Sequence, residues 1–173
     1  PYTLTSLNNL GSLLKEPGKR AEAAPLLREA LQAKRETLGD KHPETLISVN
    51  NLGQLLQDQG KLEEAGPLYR EALQARRETL GDKHPRTLTS LSNLSNLLAA
   101  QGKLEEAAPL FREALQAKRE TLGDKDPSTL SSLNNLGMLL KAQGKLEEAA
   151  PQRRVARQAR RGTPADQHPA TQS

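Results

Sequence analysis

Residues 37–78 read TLGDKHPETLISVNNLGQLLQDQGKLEEAGPLYREALQARRE, and the rest of the chain is built from copies of this stretch. A shift of 42 residues carries it onto residues 79–120 with most positions identical. The reverse shift matches residues 1–36, and a double forward shift matches 121–150. Self-similarity at a period of roughly 20–50 residues marks a solenoid, whose units cannot bury their apolar faces alone. Function is then a question about the surface that the stack presents.

Composition narrows the classes. Hydrophobic residues make up 35% of the 173 and aromatic residues only 2%, so the core has to come from Leu and Ala. Both lead the helix-propensity ranking, which points to an all-helical chain. With no Cys, disulfides and thiolate metal sites are excluded. No stretch is long and apolar enough to span a membrane, and Pro1 opens no signal peptide. The chain starts in mid-motif, so a cytoplasmic segment of a larger multidomain chain is expected. The net charge of +4 resides in one place: Arg153, Arg154, Arg157, Arg160 and Arg161 stand against Asp166 alone, and residues 1–150 are balanced.

Each unit reads as two helices, A and B. In the second copy Leu46, Val49, Leu52, Leu55 and Leu56 recur at three- and four-residue steps, giving helix A one apolar face. Gln59-Gly60-Lys61 breaks the pattern, and Gly60 suits the left-handed turn that closes a helix. Helix B, expected to begin around Lys61–Glu64, carries Ala65, Tyr69, Ala72 and Leu73 on its apolar face, and Gly81 stops it. Pro85 suits the first turn of the next helix A, and Asp126-Pro127 adds an N-cap residue to the same start. Pro25, Pro67, Pro109 and Pro151 fall inside the helix B pattern and are expected close to its first turn, where proline costs least.

These spacings resemble a family. Leu7, Leu10, Gly11, Leu14, Ala23, Leu27 and Ala30 fall where the tetratricopeptide repeat places its signature residues. Val49, Leu52, Gly53, Leu56, Ala65, Tyr69 and Ala72 repeat the set, as do Leu91, Leu94, Ser95, Leu98, Ala107, Phe111 and Ala114. The usual repeat has about 34 residues. The longer unit here, with its phrases TLGDKHPETL and LNNLG, resembles the kinesin light chain variety. The resemblance implies an all-α, right-handed superhelical solenoid of antiparallel helix pairs, tetratricopeptide-like, in four repeats. The array is expected over residues 1–162, in units of about 1–42, 43–84, 85–126 and 127–162. In the last helix B, Gln152, Arg153 and Arg157 replace core residues, so that helix is either a solvated cap or a decayed repeat that frays. Residues 163–173 are expected to be the disordered start of a decayed fifth repeat.

The LNNLG segment is the candidate binding site. Its asparagines are Asn8 and Asn9, Asn50 and Asn51, Asn93 after Ser92, and Asn134 and Asn135. Asn is a mediocre helix former, yet it recurs here beside the apolar stripe. Its amide offers two donors and an acceptor, which suits the backbone of an extended peptide. The resemblance implies that helix A lines a concave groove in which these asparagines contact peptide. The alternative is that the second Asn of each pair caps or braces the neighbouring repeat. One or two turns away lie Thr5, Ser12, Ile47, Gln54, Thr89, Asn96, Ser131 and Met138, a candidate specificity layer. The second and third copies differ there, at Ile47/Thr89, Asn50/Ser92 and Gln54/Asn96, which drift at exposed positions explains equally well. Kinesin light chains bind acidic cargo peptides, but this groove holds only Lys15 and Lys141, opposed by Glu16 and Asp58. A neutral, hydrogen-bonding groove for a protein or peptide ligand is the expectation.

Other chemistries find less support. His42 and His84 lie one period apart in the turns before Pro43 and Pro85, too far apart to share a metal, so they are read as turn residues. No nucleophile–base arrangement, phosphate loop or paired-carboxylate site stands out, so neither an enzyme nor a cofactor or metal site is expected. Glu63-Glu64 and Glu105-Glu106 fit the acidic preference of a helix first turn. Arg153, Arg154, Arg157, Arg160 and Arg161 form a possible anion-binding run for nucleic acid or an anionic surface. No aromatic residue follows Phe111 to stack on bases, which disfavours nucleic acid. A structural spacer or self-association module is the remaining alternative.

Overall fold

The structure, a computed structural model, describes residues 20–161, without the side chains of residues 20–22, 153 and 156–161. It is all-α among the described residues: α1 (Arg20–Leu38), α2 (Pro43–Asp58), α3 (Leu62–Leu80), α4 (Pro85–Ala100), α5 (Leu104–Leu122), α6 (Pro127–Ala142) and α7 (Leu146–Arg161). The chain divides into two compact units, Pro1–Gln101 and Gly102–Ser173. In the first, α1 packs on α2, α2 on α3 and α3 on α4; in the second, α5 packs on α6 and α6 on α7. Each unit is a stretch of an all-α repeat solenoid, in which α2, α4 and α6 are A helices and α1, α3, α5 and α7 are B helices. The expectation for residues 163–173 lies outside the described residues.

Local chemistry sets the helix ends. Each A helix opens with proline at its first position, where the missing N–H has no intrahelical partner anyway. The residue before it caps the helix. Asp126 Oδ1 accepts from the backbone N–H of Ser128 at 2.7 Å and of Thr129 at 3.4 Å. His42 and His84, read from sequence as turn residues, make the same cap through Nδ1, accepting from Glu44 N–H at 3.2 Å and Arg86 N–H at 3.1 Å. At the other end of α2, Gly60 has φ of 76°. The Lys61 N–H bonds to the Leu56 carbonyl at 2.8 Å and the Gly60 N–H to that of Gln57 at 2.9 Å, the paired bonds of a Schellman closure. Gly81, after α3, holds φ 85° and ψ 165°, a region essentially restricted to glycine.

The prolines inside the B helices sit close to the helix start, as expected, and the structure adds which way they face. With α3 starting at Leu62, Pro67 is its sixth residue, beyond the first turn. Pro25, Pro67, Pro109 and Pro151 are all exposed. The carbonyl that loses an N–H partner to each proline therefore lies on the side that water can reach, which lowers the cost of an interior proline.

Burial follows the two stripes. Leu46, Val49, Leu52, Leu55 and Leu56 of α2 and Ala65, Tyr69, Ala72 and Leu73 of α3 are all buried. A large ring in a core of Leu and Ala needs space, and Gly53 provides it: a Cβ there would lie 2.9 Å from Tyr69 Cε1. The Tyr69 hydroxyl donates towards Gln57 Oε1 at 3.1 Å, with Gln54 Oε1 at 3.4 Å, so the buried phenol is not left unsatisfied.

Polar contacts recur between neighbouring copies. Arg35 of α1 forks onto the Glu71 carboxylate of α3 at 2.7 and 2.8 Å, and Arg28 reaches Glu64 at 2.6 Å. In the second unit Arg112 of α5 pairs with Glu148 of α7 at 3.4 Å. The glutamines that follow α4 and α6 reach back one repeat. Gln101 Nε2 donates to the Leu62 carbonyl and to Glu63 Oε1, and Gln143 repeats this with Leu104 and Glu105. A B-helix cation also enters the next A helix. Arg76, 5% exposed, donates from Nη1 to Ser90 Oγ at 2.7 Å and to the Arg86 carbonyl at 3.0 Å. Lys118 reaches Ser132 Oγ at 2.9 Å. Burial lowers the pKa of both cations; the Arg86 charge lowers that of Arg76 further, and Asp126 partly restores that of Lys118.

Two glycines of the first unit should respond oppositely to alanine. Gly53→Ala drives a methyl into the Tyr69 ring and should lower stability by about 1–3 kcal/mol. Gly66 lies inside α3, where two other copies have buried Ala24 and Ala108, and a Cβ there meets first the flexible end of Arg70 at 3.2 Å. Gly66→Ala should raise stability by about 0.5–1 kcal/mol. Urea denaturation of both variants checks the two signs. Equal effects would refute the packing account.

Tyr69 makes the fold sensitive to alkali. Burial, with a smaller contribution from the Asp58 carboxylate, pushes its phenol from 10.0 up to about 12. Between those values the unfolded chain releases a proton that the folded chain keeps, so stability should fall as pH rises across that window. Tyr69→Phe should flatten the slope. Denaturant midpoints at intervals through the window, for both proteins, test this; parallel slopes would contradict it.

Candidate functional site

What the packing leaves over is one line of residues on each A helix. On α2 this line is Ile47, Asn51, Gln54 and Asp58, all exposed and spaced to lie along a single face. On α4 it is Thr89, Asn93 and Asn96, with Asn93 half-buried. On α6 it is Ser131, Asn135 and Met138, with Asn135 half-buried. Two large apolar side chains stand in water on these lines, Ile47 at 41% exposure and Met138 at 52%.

The two asparagine positions of the LNNLG segment behave differently. The first, occupied by Asn50, Ser92 and Asn134, is half-buried beside the apolar stripe. Asn50 Nδ2 donates to the Leu46 carbonyl of its own helix at 2.8 Å, and Ser92 Oγ donates to the Leu88 carbonyl at 2.9 Å. The second position lies on the outward line. Asn51 is exposed, while Asn93 Nδ2 donates across to Asn50 Oδ1 at 3.5 Å and links α4 to α2. In the first unit, therefore, the line of α4 touches α2 at Asn50.

Gln54 is partly committed to the fold. Its Nε2 donates to Asp58 Oδ1 at 2.9 Å, and its Oε1 lies 3.4 Å from the Tyr69 hydroxyl. Asn96 and Met138 are exposed one turn beyond the second Asn position of their helices. Between the helix ends the face of the first unit carries amides, a threonine and an isoleucine, with Asp58 at one end. Glu44 and Arg86 stand exposed in the first turns of α2 and α4. Of the remaining candidates, Asn8, Asn9 and Ser12 lie outside the described residues.

The basic run lies on α7, which is helical through Arg161. Arg154 and Val155 are exposed and Ala149 is buried. The side chains of Arg153, Arg157, Arg160 and Arg161 lie outside the described ones. Among the described residues no three His, Cys, Asp or Glu side chains are grouped to hold a metal ion, and no helix is long and apolar enough to cross a membrane.

Sequence reasoning missed the polar braces. The backward reach of Gln101 and Gln143 and the Arg76–Ser90 and Lys118–Ser132 contacts were legible only as recurrences. Gln59, Gln101 and Gln143 recur at one offset, and Ser48, Ser90 and Ser132 at another. A polar residue repeated within an otherwise apolar stripe is the signal that could have revealed them.

Comparison with known proteins agrees with this architecture. The profile of the tetratricopeptide repeat family matches residues 2–65, 45–120 and 96–162. Two crystal structures of a Podosopora anserina protein assigned as a kinesin light chain, with nearly identical tetratricopeptide-like repeats, are similar in fold. One of them, a single-residue variant, is 28% identical with a TM-score of 0.75, and its counterpart 29% identical at 0.74; each match covers 83% of this chain and 68% of the other. BtubC (BKLC) from P. vanneervenii is 25% identical at a TM-score of 0.76, over 90% of this chain and 62% of its own. No curated protein matches the sequence. The chain belongs to the tetratricopeptide repeat family, in its kinesin light chain-type form.

Proposed function

We propose that this chain is a non-catalytic, cytoplasmic interaction scaffold that holds an extended peptide segment of a partner protein along the exposed lines of its A helices. The observation that carries this reading is that α2 and α4 both leave a largely polar line to water, Ile47, Asn51 and Gln54 on one and Thr89, Asn93 and Asn96 on the other, and that Asn93 links the two helices through Asn50. Amides at that density suit main-chain N–H and C=O groups, and the exposed isoleucine gives a partner something apolar to cover. The B helices, by contrast, spend their charges on one another through Arg28–Glu64 and Arg35–Glu71. The face is preformed, so binding costs little ordering on this side.

The test is a displayed library of random 15-residue peptides panned on the whole chain. A recovered peptide is then titrated by fluorescence anisotropy against the chain and against Asn51→Ala/Gln54→Ala/Asn96→Ala. Each lost hydrogen bond is worth about 0.5–1.5 kcal/mol, so at least a tenfold loss of affinity is expected with helicity unchanged. Unchanged affinity, or a library that yields no binder, contradicts the proposal.

A further inference from the structure

The hydrogen bonds of the LNNLG segment have a direction. An amide side chain carries its donors on one atom and its acceptor on another, so engaging one fixes where the other points. Asn50 spends Nδ2 on the Leu46 carbonyl at 2.8 Å. The opposite orientation would set Oδ1 against that carbonyl, acceptor against acceptor. Asn50 Oδ1 is thereby turned towards α4, where Asn93 Nδ2 donates to it at 3.5 Å. With its nitrogen drawn to the α2 side, Asn93 holds Oδ1 on the far side of its amide. The chain of bonds runs one way, from Asn93 through Asn50 to a main-chain carbonyl, and its open end is an acceptor.

Ser92 supports the same polarity independently. It occupies the first position in the next copy and gives its single hydroxyl proton to the Leu88 carbonyl at 2.9 Å. Two different residue types at this position thus spend a donor on a carbonyl of their own helix. The bond between the two asparagines is long, so its role is orientation more than adhesion.

We propose that Asn50 is a positioning residue: it sets the flip of the Asn93 amide, so that the groove beside Asn93 offers an acceptor and selects a backbone N–H of the bound peptide. This rests on the reading of the A-helix face as a peptide-binding surface. It also separates the two asparagines of the motif, since the first orients and the second reads.

The experiment uses the whole chain and a peptide recovered from the displayed library, remade as a series in which one backbone N–H at a time is replaced by an ester oxygen. On the native chain one ester position should weaken binding at least fivefold. Asn50→Leu should weaken the parent peptide at least fivefold and erase the sensitivity to that ester. Asn50→Ser, which copies Ser92, should restore both. An Asn50→Leu variant with unchanged affinity and ester sensitivity overturns the proposal, as does an Asn50→Ser variant no better than Asn50→Leu. A second readout needs no peptide. The Asn93 side-chain ¹H–¹⁵N amide signals should shift in Asn50→Leu and return towards native positions in Asn50→Ser. If the library yields no binder, the functional reading fails, and these signals still decide the orientation claim: no shift in Asn50→Leu refutes it.

Discussion

A helix with one apolar stripe and no large core must bury that stripe against the next helix in sequence, and this constraint governs the protein. Leu and Ala supply the stripes, and successive helices within each unit pack on one another. The polar contacts obey the same short range. Arg35 finds Glu71, Gln101 finds Leu62 and Gln143 finds Leu104, each between neighbouring copies. A fold stabilised this way resembles a sum of repeat and interface terms. It also leaves one line of each described A helix largely exposed.

That leftover face explains the division of labour along the sequence. Positions that meet the next helix, such as Ala65, Ala72, Ala107 and Ala114, are the same from copy to copy and buried. Ile47, Gln54 and their counterparts Thr89 and Asn96 differ between copies and are exposed. Gln54 apart, substitution there costs the fold little, because a surface side chain away from caps and the core contributes little to stability. The outward line can therefore vary while the scaffold stays fixed.

Much of this was legible in the sequence, and the misses have physical causes. The stripe from Leu46 to Leu56, the helix B core and the closure at Gly60 follow from spacing alone, because local periodicity dictates them. Proline tolerance in α3 was legible in part. Sequence spacing shows that Pro67 lies near a helix start, but only coordinates show that it faces water. His42 and His84 looked like generic turn residues because histidine is an uncommon cap. Their shared place with Asp126 is the hint that they accept from the following backbone. In the site, the composition of the line was readable and the roles were not. Which way an asparagine amide points depends on a carbonyl four residues back and on a neighbour about forty residues away, and no one-dimensional pattern encodes that.

The central claim is that the A-helix lines read a partner while the B helices hold the stack. Chemical-shift mapping on the assigned chain with a library-derived peptide tests it most directly. The account predicts that perturbations gather at Ile47, Asn51, Gln54, Thr89, Asn93 and Asn96. Perturbations that gather on the B helices around Arg28 and Arg35, or on α7 around Arg154, would contradict it.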